Sequence, residues 1–411
     1  MSNASTLLTH YGERYRQVAR MRPRLKGPRA YVNWLRSGFE LWAGTSRIGA
    51  RPLKLTMDPT NVCQLRCPLC PTGLQVHDRE SGHAQLHMLE KLLDEVGDYL
   101  FFIDFFNWGE PLLNTHLEDF INLANSRNVL STISTNLSLQ LSDDRIRRLV
   151  TSGLREMIVS LDGASSETYQ VYRRRGKFDL VCENMRRIVD MKRRLGSSSP
   201  LVTWQFLVFG FNEHEVEKAR ILAAEIGVDR ILFRPAFLDV DRYPLPPEEK
   251  EAMAGWRPKD ALYQIQSSSE ADSKPHSRCG WHYTSTAVNW DGTVAPCCTL
   301  FEKRHDFGSL DVSGSYMDVV NNEAFRSVRE RFAGKRKQPV DLVCEHCPTP
   351  SIMNYNRFLN RQILLFTAVG LIESIRRLVG GSRGKKAPAG TLPVPTVSSS
   401  ELDSSRAANG G

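Results

Sequence analysis

The 411-residue sequence lacks a long apolar run. Its longest run, residues 363–372, is about half of what a membrane-spanning helix requires. The first thirty residues lack the apolar core of a secretory signal and are rich in arginine instead. These absences predict a cytosolic protein. The composition, 41% apolar and 24% charged, is that of a globular chain long enough for one large domain and a smaller one.

The sequence also has little net charge outside its first 54 residues. Those residues hold eleven Lys or Arg against two Glu, whereas the other 357 hold 43 basic and 44 acidic residues. A basic segment of this kind suits phosphate groups, either of nucleic acid or of an anionic membrane surface. A solvated helical face is the alternative interpretation.

Disulfides are not expected, because the cytosol keeps thiols reduced. The nine cysteines therefore indicate metal binding or catalysis. Cys182 stands alone in a predicted helix and is interpreted as a core residue. The others form two groups: Cys63, Cys67 and Cys70, and then Cys279, Cys297, Cys298, Cys344 and Cys347.

Residues 52–235 alternate between short β-rich runs and amphipathic helical stretches. Six such β/α units predict an α/β fold, in which a parallel sheet with outer helices curls into a full or partial (β/α)6 TIM-like barrel. The chemistry of such barrels gathers at the carboxyl ends of the strands. Near residue 290 the sequence predicts a hairpin, because Asp291-Gly292 is a strong turn signal.

The segments around the barrel differ in composition. Tyr31, Leu35, Phe39 and Trp42 recur at helical spacing and line one face of a helix. The predicted division of the chain is a basic helical extension (1–50), a barrel (51–240), a linker with one short helix (241–275), a small Cys-rich domain (276–350), a basic amphipathic helix (351–380) and a disordered tail (381–411).

The first cysteine group, Cys63-Gln-Leu-Arg-Cys67-Pro-Leu-Cys70, directly follows the first predicted strand. Three thiolates on one loop can ligate three irons of a four-iron cluster and leave the fourth iron open to a small molecule. A structural zinc site is the alternative, but zinc takes four protein ligands, and this loop offers three.

Small or polar residues follow the next three strands. Gly109 and Glu110 end the second strand, where glycine permits a close backbone approach and a carboxylate can bind an ammonium group. The third and fourth strands are followed by Ser134, Asn136, Ser160 and Asp162, and Gln205 lies in the fifth. Because each residue set stands at its own strand end, together they predict a binding rim.

This combination of CxxxCxxC, Gly-Glu-Pro and a Ser/Asn pair resembles the radical S-adenosylmethionine (SAM) superfamily over residues 50–240. The resemblance implies a partial (β/α)6 barrel whose [4Fe–4S] cluster binds SAM at its open iron. It implies that Gly109 and Glu110 receive the methionyl amino group, and that the ribose or the methionyl carboxylate is contacted by Ser134, Asn136, Ser160 and Asp162. Two positions depart from the usual pattern, Trp108 in place of glycine and Leu69 in place of an aromatic residue.

The second group supplies four thiolates, from Cys279, Cys297, Cys344 and Cys347, which suit either a zinc ion or a whole iron–sulfur cluster. Beside a radical SAM barrel, the module resembles the auxiliary-cluster domain called SPASM or twitch, which implies a second [4Fe–4S] cluster. Cys298 is then a spare buried thiol. Three histidines near these cysteines are interpreted as polar surface groups: His276, His282 and His346.

The cysteine spacing is similar to that of 2-deoxy-scyllo-inosamine dehydrogenases, which oxidise an aminocyclitol alcohol. This resemblance implies an oxidoreductase that abstracts hydrogen from a hydroxylated small molecule, passes an electron to the auxiliary cluster, and takes low-potential electrons from a donor such as flavodoxin or ferredoxin. A maturase of ribosomal peptides is the second hypothesis. A metal-containing nucleic-acid-binding scaffold is the third, but it leaves the rim without a purpose, so no specific nucleic acid is expected.

Both chain ends are basic and contain apolar helical segments. They predict peripheral membrane contact, which would place a cytosolic protein at a membrane surface. The alternative is that both helices only pack on the barrel.

Overall fold

A computed structural model describes residues 24–76, 78–236, 238, 240–264, 279–339, 341–346 and 355–379. The predicted tail at 381–411, the first 23 residues of the basic extension, Cys347 and His276 lie outside these residues.

Within the described residues, nine strands form one sheet. The first six pair in parallel in chain order, as a β/α alternation requires, for example with Ile133 opposite Met157. The strands are β1 (Lys54–Met57), β2 (Phe102–Asp104), β3 (Leu130–Thr135), β4 (Glu156–Ser160), β5 (Leu201–Val208), β6 (Arg230–Pro235), β7 (Ser285–Val288), β8 (Thr293–Ala295) and β9 (Gly308–Ser309).

Helices cover this sheet and bury a continuous apolar core that includes Met157 and Val202. One helix shows how the sequence sets its start: Ser142 accepts a hydrogen bond from the backbone of Arg145. The helices of the described part are α1 (Pro28–Ala43), α2 (Pro71–Leu74), α3 (Leu86–Val96), α4 (Leu117–Ser126), α5 (Asp143–Thr151), α6 (Ser166–Tyr172), α7 (Phe178–Arg194), α8 (Val216–Ile226), α9 (Pro247–Ala254), α10 (Trp281–Thr284), α11 (Leu310–Ser313), α12 (Tyr316–Val320), α13 (Glu323–Phe332) and α14 (Tyr355–Val379).

The small C-terminal domain continues the barrel's sheet. Strand β7 pairs in parallel with β1, and backbone bonds from Leu53 and Asp58 to β7 and its approach extend the ladder at both ends. The predicted hairpin is confirmed: β7 and β8 are antiparallel, and Gly292 in their turn has a φ of 78°. The six-stranded sheet remains open, as expected of a partial barrel, and β7 covers its β1 edge.

The segment predicted as a linker is packed against the first cysteine group. It contains the expected short helix, α9, but Tyr243, Leu245 and Met253 are buried in a cluster that also includes Leu69. Tyr263 is buried in the main core. Because of these apolar contacts, residues 240–264 pack over the cysteine loop and are not a free linker. We call them the roof segment.

Helices α1 and α14 lie together at the amino ends of the strands. Ile363 and Phe366 of α14 pack with Leu53, which precedes β1, and with Phe102 of β2. Trp34 of α1 donates a hydrogen bond from Nε1 to Asn360 Oδ1 at 2.7 Å.

The expectation of an amphipathic C-terminal helix was wrong, because α14 is apolar on two faces. One face is buried on the barrel, and the other exposes Leu364, Leu371 and Ile375. By length and composition its segment Arg357–Ile375 also qualifies as a candidate membrane span, of which 28% is buried. One such helix is weak support for a span, since core helices meet the same criterion.

His282 does not lie on the surface, contrary to the sequence-based interpretation. Its side chain is buried among the rings of Phe307, Phe325 and Phe332, with centroid separations of 6.0–6.4 Å. Its Nδ1 atom has no hydrogen-bond partner among the described residues. Burial, reinforced by the nearby Arg329 cation, lowers the pKa of His282 to about 3.

This burial predicts an acid-sensitive C-terminal domain. Because the pKa of His282 is lowered on folding, its contribution to stability is complete above about pH 6.5 and is lost as the pH falls towards 3. We expect the free energy of unfolding of wild type to fall between pH 6 and 4 by about 1.4 kcal/mol per pH unit more than that of His282→Leu. Urea denaturation measures both slopes. The exposed-site control His116→Leu should follow wild type, and equal slopes for wild type and His282→Leu would contradict the prediction.

Candidate functional site

The first cysteine group lies on a loop that begins at the carboxyl end of β1 and is fixed by polar contacts. Thr60 Oγ1 donates to the carbonyl of Gly82 at 2.7 Å, and Asn61 exchanges hydrogen bonds with Glu80 and Gly82. Within the loop, Arg66 Nη1 donates to two backbone carbonyls at 3.1 and 2.8 Å. The loop backbone is therefore held from both sides.

The three thiols of this loop are buried or half-buried and influence one another electrostatically. Burial raises the pKa of Cys63 to about 12 and that of Cys67 to about 11, and it also raises the pKa of Cys70. Neighbouring thiols add to the shifts of Cys63 and Cys67, and Asp58 adds to that of Cys70. Such thiols stay neutral unless a positively charged metal centre stabilises their thiolates, so this donor set suits a cluster-binding loop.

The described residues give no support to a single-ion site. No three of their His, Cys, Asp or Glu side chains converge in a way that would hold one metal ion. A zinc site would require such convergence, whereas a multi-iron cluster is broader than one ion and separates its ligands.

Gly109 fits tightly against the start of the cysteine loop. A Cβ atom at this position would lie 1.8 Å from the carbonyl oxygen of Thr60, so only glycine is tolerated there. The backbone N–H of Glu110 donates to the carbonyl of Val62 at 2.8 Å. The sequence predicted a close backbone approach at Gly109. The structure shows one, and it is made to the backbone of Thr60.

Glu110 is buried at the carboxyl ends of β2 and β3. Its Oε1 accepts a hydrogen bond from Thr135 Oγ1 at 2.6 Å, and its Oε2 accepts one from the backbone of Asn136 at 2.7 Å. Burial raises its pKa to about 6, although these hydrogen bonds oppose the shift. Oε1 also accepts from the backbone of Leu112 at 3.1 Å, whereas Oε2 has only the bond from Asn136, so Glu110 can still accept a bond from a cationic ligand through Oε2.

Asn136 joins the rim to the cysteine loop. Its Nδ2 lies 3.7 Å from Cys63 Sγ, and its Oδ1 accepts a hydrogen bond from Gln64 at 2.8 Å. Ser134 and Ser160 lie on neighbouring strands with their hydroxyls 3.4 Å apart. The structure therefore brings these three predicted rim residues to the same sheet edge as Glu110.

Asp162, a predicted SAM contact, is held by hydrogen bonds within the protein. It is fully buried, and its Oδ2 accepts from Arg173 Nε at 2.6 Å while its Oδ1 accepts from the backbone of Leu207 at 2.7 Å. Both oxygens are thus engaged within the protein. Arg173 in turn points Nη1 towards Cys67 Sγ at 3.9 Å.

The sequence did not single out Arg173, because it stands in a run of three arginines at 173–175. Its side chain is only 16% exposed, whereas Arg174 forms a 3.4 Å ion pair with Glu249. The sequence signal that could have revealed this role is that Arg173 follows Asp162, an acidic residue at a strand end, by eleven residues. A buried guanidinium here needs a carboxylate partner, and Asp162 supplies it.

Asp58, the first residue after β1, was also missed. It is buried, its Oδ2 accepts from the backbone of Trp108 at 3.2 Å, and its Oδ1 has no partner within the described part of the chain. Burial raises its pKa to about 7. The free oxygen can accept a hydrogen bond from a ligand group, and the position of Asp58 at a strand end was the signal that could have found it.

Aromatic side chains pack around the cysteine loop. Tyr172, Phe209, Phe211 and Trp256 lie with ring centroids 4.9–6.3 Å apart, in the cluster that contains Cys67. The backbone N–H of Gly210 also donates to the carbonyl of Trp256 at 2.6 Å, which joins the roof segment to the barrel. This arrangement shields the thiols from water.

The second cysteine group is distributed over the C-terminal domain. Cys279 precedes α10, Cys297 follows β8 with its Sγ 3.1 Å from Thr299 Oγ1, and Cys344 lies in the short turn Val343–His346. Burial raises the pKa of the adjacent Cys298 thiol to about 12. Cys347 lies outside the described residues, so the four-thiolate set remains a prediction.

Two family models match this chain. Residues 57–223 match the radical SAM superfamily, and residues 279–348 match an iron-sulfur cluster-binding domain, SPASM. The second range begins at Cys279 and ends directly after Cys347, so it encloses the predicted ligand set.

The curated relatives of this chain share low sequence identity with it. Mycofactocin maturase MftC of Mycolicibacterium smegmatis is 24% identical over 176 residues, which span 43% of this chain and only 43% of that relative. A GTP 3',8-cyclase of Clostridium botulinum is 20% identical over 309 residues, 69% of this chain and 93% of the relative.

Among solved structures, Streptococcus suis SuiB resembles this chain with a TM-score of 0.50 at 13% identity, covering 71% of this chain and 70% of that one. This similarity supports the fold. The family matches identify a radical SAM domain at residues 57–223 and a C-terminal SPASM domain at residues 279–348, two domains that imply SAM, a [4Fe–4S] cluster and an auxiliary cluster.

Proposed function

We propose that this protein is a radical SAM oxidoreductase of a hydroxylated small molecule. The 5′-deoxyadenosyl radical abstracts hydrogen from a carbinol carbon, a base takes the hydroxyl proton, and an auxiliary cluster accepts the remaining electron, which leaves a ketone. The observation that carries the proposal is the meeting of Cys63, Glu110 and Asn136 at one sheet edge. When bound at Cys63, Cys67 and Cys70, a [4Fe–4S] cluster supplies the electron that cleaves SAM to methionine and a 5′-deoxyadenosyl radical. A low-potential protein such as flavodoxin or ferredoxin is the proposed donor.

Glu110 is the proposed receptor for the methionyl ammonium group. Its carboxylate is buried beside Cys63, and burial raises its pKa to about 6 although the charge of Arg173 opposes the shift. An ammonium group placed there relieves this penalty, because an opposite charge favours the ionised carboxylate. The hydrogen bonds from Thr135 and Asn136 orient the carboxylate before the ligand arrives.

The remaining polar residues divide into ligand contacts and support. Ser134, Ser160 and Asn136 carry side-chain donors and acceptors suited to ribose hydroxyls or a carboxylate. Asp162 also positions Arg173, because its Oδ2 accepts from the guanidinium and its Oδ1 accepts from the backbone of Leu207. Arg173 then places a positive charge beside Cys67, where it stabilises negative sulfur.

The aromatic cluster excludes water from the reacting centre. Phe209 and Trp256 shield the cysteine loop on one side, and Tyr243 and Leu245 of the roof pack beside Leu69. Exclusion of water strengthens electrostatic contacts and protects a reactive intermediate from side reactions.

The position of α1 favours a small substrate. The described residues before β1 form a helix at the amino ends of the strands, whereas the cysteine loop lies at the carboxyl end. These residues therefore do not act as a peptide-recognition element at the site. A peptide maturase is the second candidate, favoured by the resemblance to mycofactocin maturase.

The proposed ligand sets predict the iron content. Anaerobically reconstituted protein should bind about eight iron atoms per chain, and replacement of Cys63, Cys67 and Cys70 by Ala should leave about four, since the other four thiolates are untouched. Iron and sulfide assays measure the cluster content of wild type and variant, and elemental mass spectrometry measures their iron and zinc. Cys182→Ala should match wild type. Four irons in wild type together with stoichiometric zinc would contradict the auxiliary-cluster assignment.

Glu110→Gln should weaken SAM binding by about 2–4 kcal/mol, because the buried ammonium loses its charged partner. Equilibrium binding on reconstituted protein and the rate of 5′-deoxyadenosine release under a low-potential reductant report the loss. Glu118→Gln is the matched control, since Glu118 is also buried but pairs with Arg145 at 2.9 Å, outside the rim. Unchanged affinity in Glu110→Gln would show that the SAM site lies elsewhere.

Deuterium tracing tests the substrate class. A panel of polyols and aminocyclitols deuterated at their carbinol carbons should transfer deuterium into 5′-deoxyadenosine and yield the corresponding ketones, because the abstracted atom is the carbinol hydrogen. Mass spectrometry detects both products. Deuterated peptides run in parallel should give unlabelled 5′-deoxyadenosine. If deuterium is transferred from a peptide and from none of the small molecules, the protein is a peptide maturase and the small-molecule proposal is wrong.

A further inference from the structure

Helix α1 has an unusual distribution of side chains, because its apolar face points outwards. Val32, Leu35, Phe39 and Trp42 are 66%, 68%, 60% and 73% exposed. The opposite face, which contacts the protein, includes three buried polar residues, Asn33, Ser37 and Glu40. A helix stabilised by its hydrophobic face would show the reverse arrangement.

Polar contacts fix α1 in this orientation. Asn33 exchanges hydrogen bonds of 2.8 and 2.9 Å with the backbone of Arg51, and the Glu40 carboxylate accepts from the backbones of Gly49 and Ala50 at 2.9 and 3.1 Å. The buried polar groups are thus satisfied by the chain segment that leads into β1. The outward apolar face is therefore not required to hold the helix in place.

Helix α14 adds a second outward apolar face beside the first. It is joined to α1 by the hydrogen bond between Trp34 and Asn360 and by one of 3.4 Å between Thr367 and Tyr31. We call the combined surface the basal face, defined by Val32, Leu35, Phe39, Trp42, Phe358, Leu364, Leu371 and Ile375. The four members on α14 are 46–54% exposed.

The two helices that carry the basal face are basic. Helix α14 carries four arginines against one glutamate, and α1 carries two arginines against one glutamate. Arg29, Arg47 and Arg357 are exposed in the described part. Apolar and aromatic residues flanked by cations are complementary to an anionic lipid surface, where rings enter the interfacial layer and cations meet phosphate.

The basal face also lies at the opposite end of the barrel from the cysteine loop. It is carried by helices that pack on Leu53 and Phe102, at the amino ends of β1 and β2, whereas Cys63 follows the carboxyl end of β1. A surface that covers the basal face therefore leaves the candidate site open to solvent.

We propose that the basal face binds peripherally to an anionic lipid bilayer, with Phe39 and Trp42 in the interfacial layer and the surrounding arginines at the phosphates. The charge asymmetry favours lipid over a second copy of the chain, because two like basal faces would bring their cations together. The helices remain packed on the barrel and do not cross the membrane.

Vesicle sedimentation tests this proposal with the full-length, reconstituted protein. Wild type should pellet with vesicles of phosphatidylcholine and phosphatidylglycerol at low salt, stay largely soluble with phosphatidylcholine alone, and be released in about 1 M salt, where screening is strong. The double variant Phe39→Ser/Trp42→Ser should bind at least about tenfold more weakly, because it loses two buried rings. Ile221→Ser removes an equally exposed apolar side chain from α8, 57% exposed in the protein, and should bind as wild type does.

Two results would overturn the proposal. Wild type that stays in the supernatant with anionic vesicles at low salt would exclude lipid as the occupant, as would a double variant that pellets like wild type. Sedimentation equilibrium separates the competing occupant: a wild-type dimer that the double variant converts to a monomer, without vesicle binding, would assign the basal face to a second copy.

Discussion

Strand β1 is hydrogen-bonded on both sides, to β2 in the barrel and to β7 in the C-terminal domain, and the arrangement of the site depends on this double pairing. The first cysteine group leaves its carboxyl end. The Gly109 backbone crosses the same end so closely that a single methyl group would meet the Thr60 carbonyl. The position of the thiols relative to the rim is thus set by backbone contacts, which side-chain variation changes little.

Several ionisable side chains are buried around these backbone contacts, at positions suited to ligand binding. Asp162 pairs directly with Arg173, whereas burial raises the pKa values of Glu110 and the three thiols, and the positive charge of Arg173 only partly offsets this shift at Glu110, Cys67 and Cys70. Buried ionisable groups without a counter-charge cost folding free energy. Binding of metal and cofactor at these residues would remove that cost, so loading and stability are coupled in this loop.

Local patterns predicted most of the fold. The strand and helix alternation, the Asp291-Gly292 hairpin and the cysteine loop after β1 are all encoded within a few residues, and all are found. The role of Asp162, the burial of His282 and the packing of residues 240–264 depend on partners distant in sequence, such as Leu207, Phe325 and Leu69. The outward face of α1 escaped prediction for a related reason: periodicity identifies a face but not the side on which the rest of the protein lies.

The double pairing of β1 also affects which parts of the sheet open first. Edge strands fray and expose their amides, and here the edges are β6, which ends in Pro235, and the two-residue β9. Strand β1 lies inside the sheet, five strands from one edge and three from the other. Its backbone amides should therefore exchange with solvent only through the rarest, most extensive openings. The cysteine loop is attached at the carboxyl end of β1, so its attachment point stays folded while neighbouring strands open. This helps a radical enzyme to keep its reactive centre covered between turnovers.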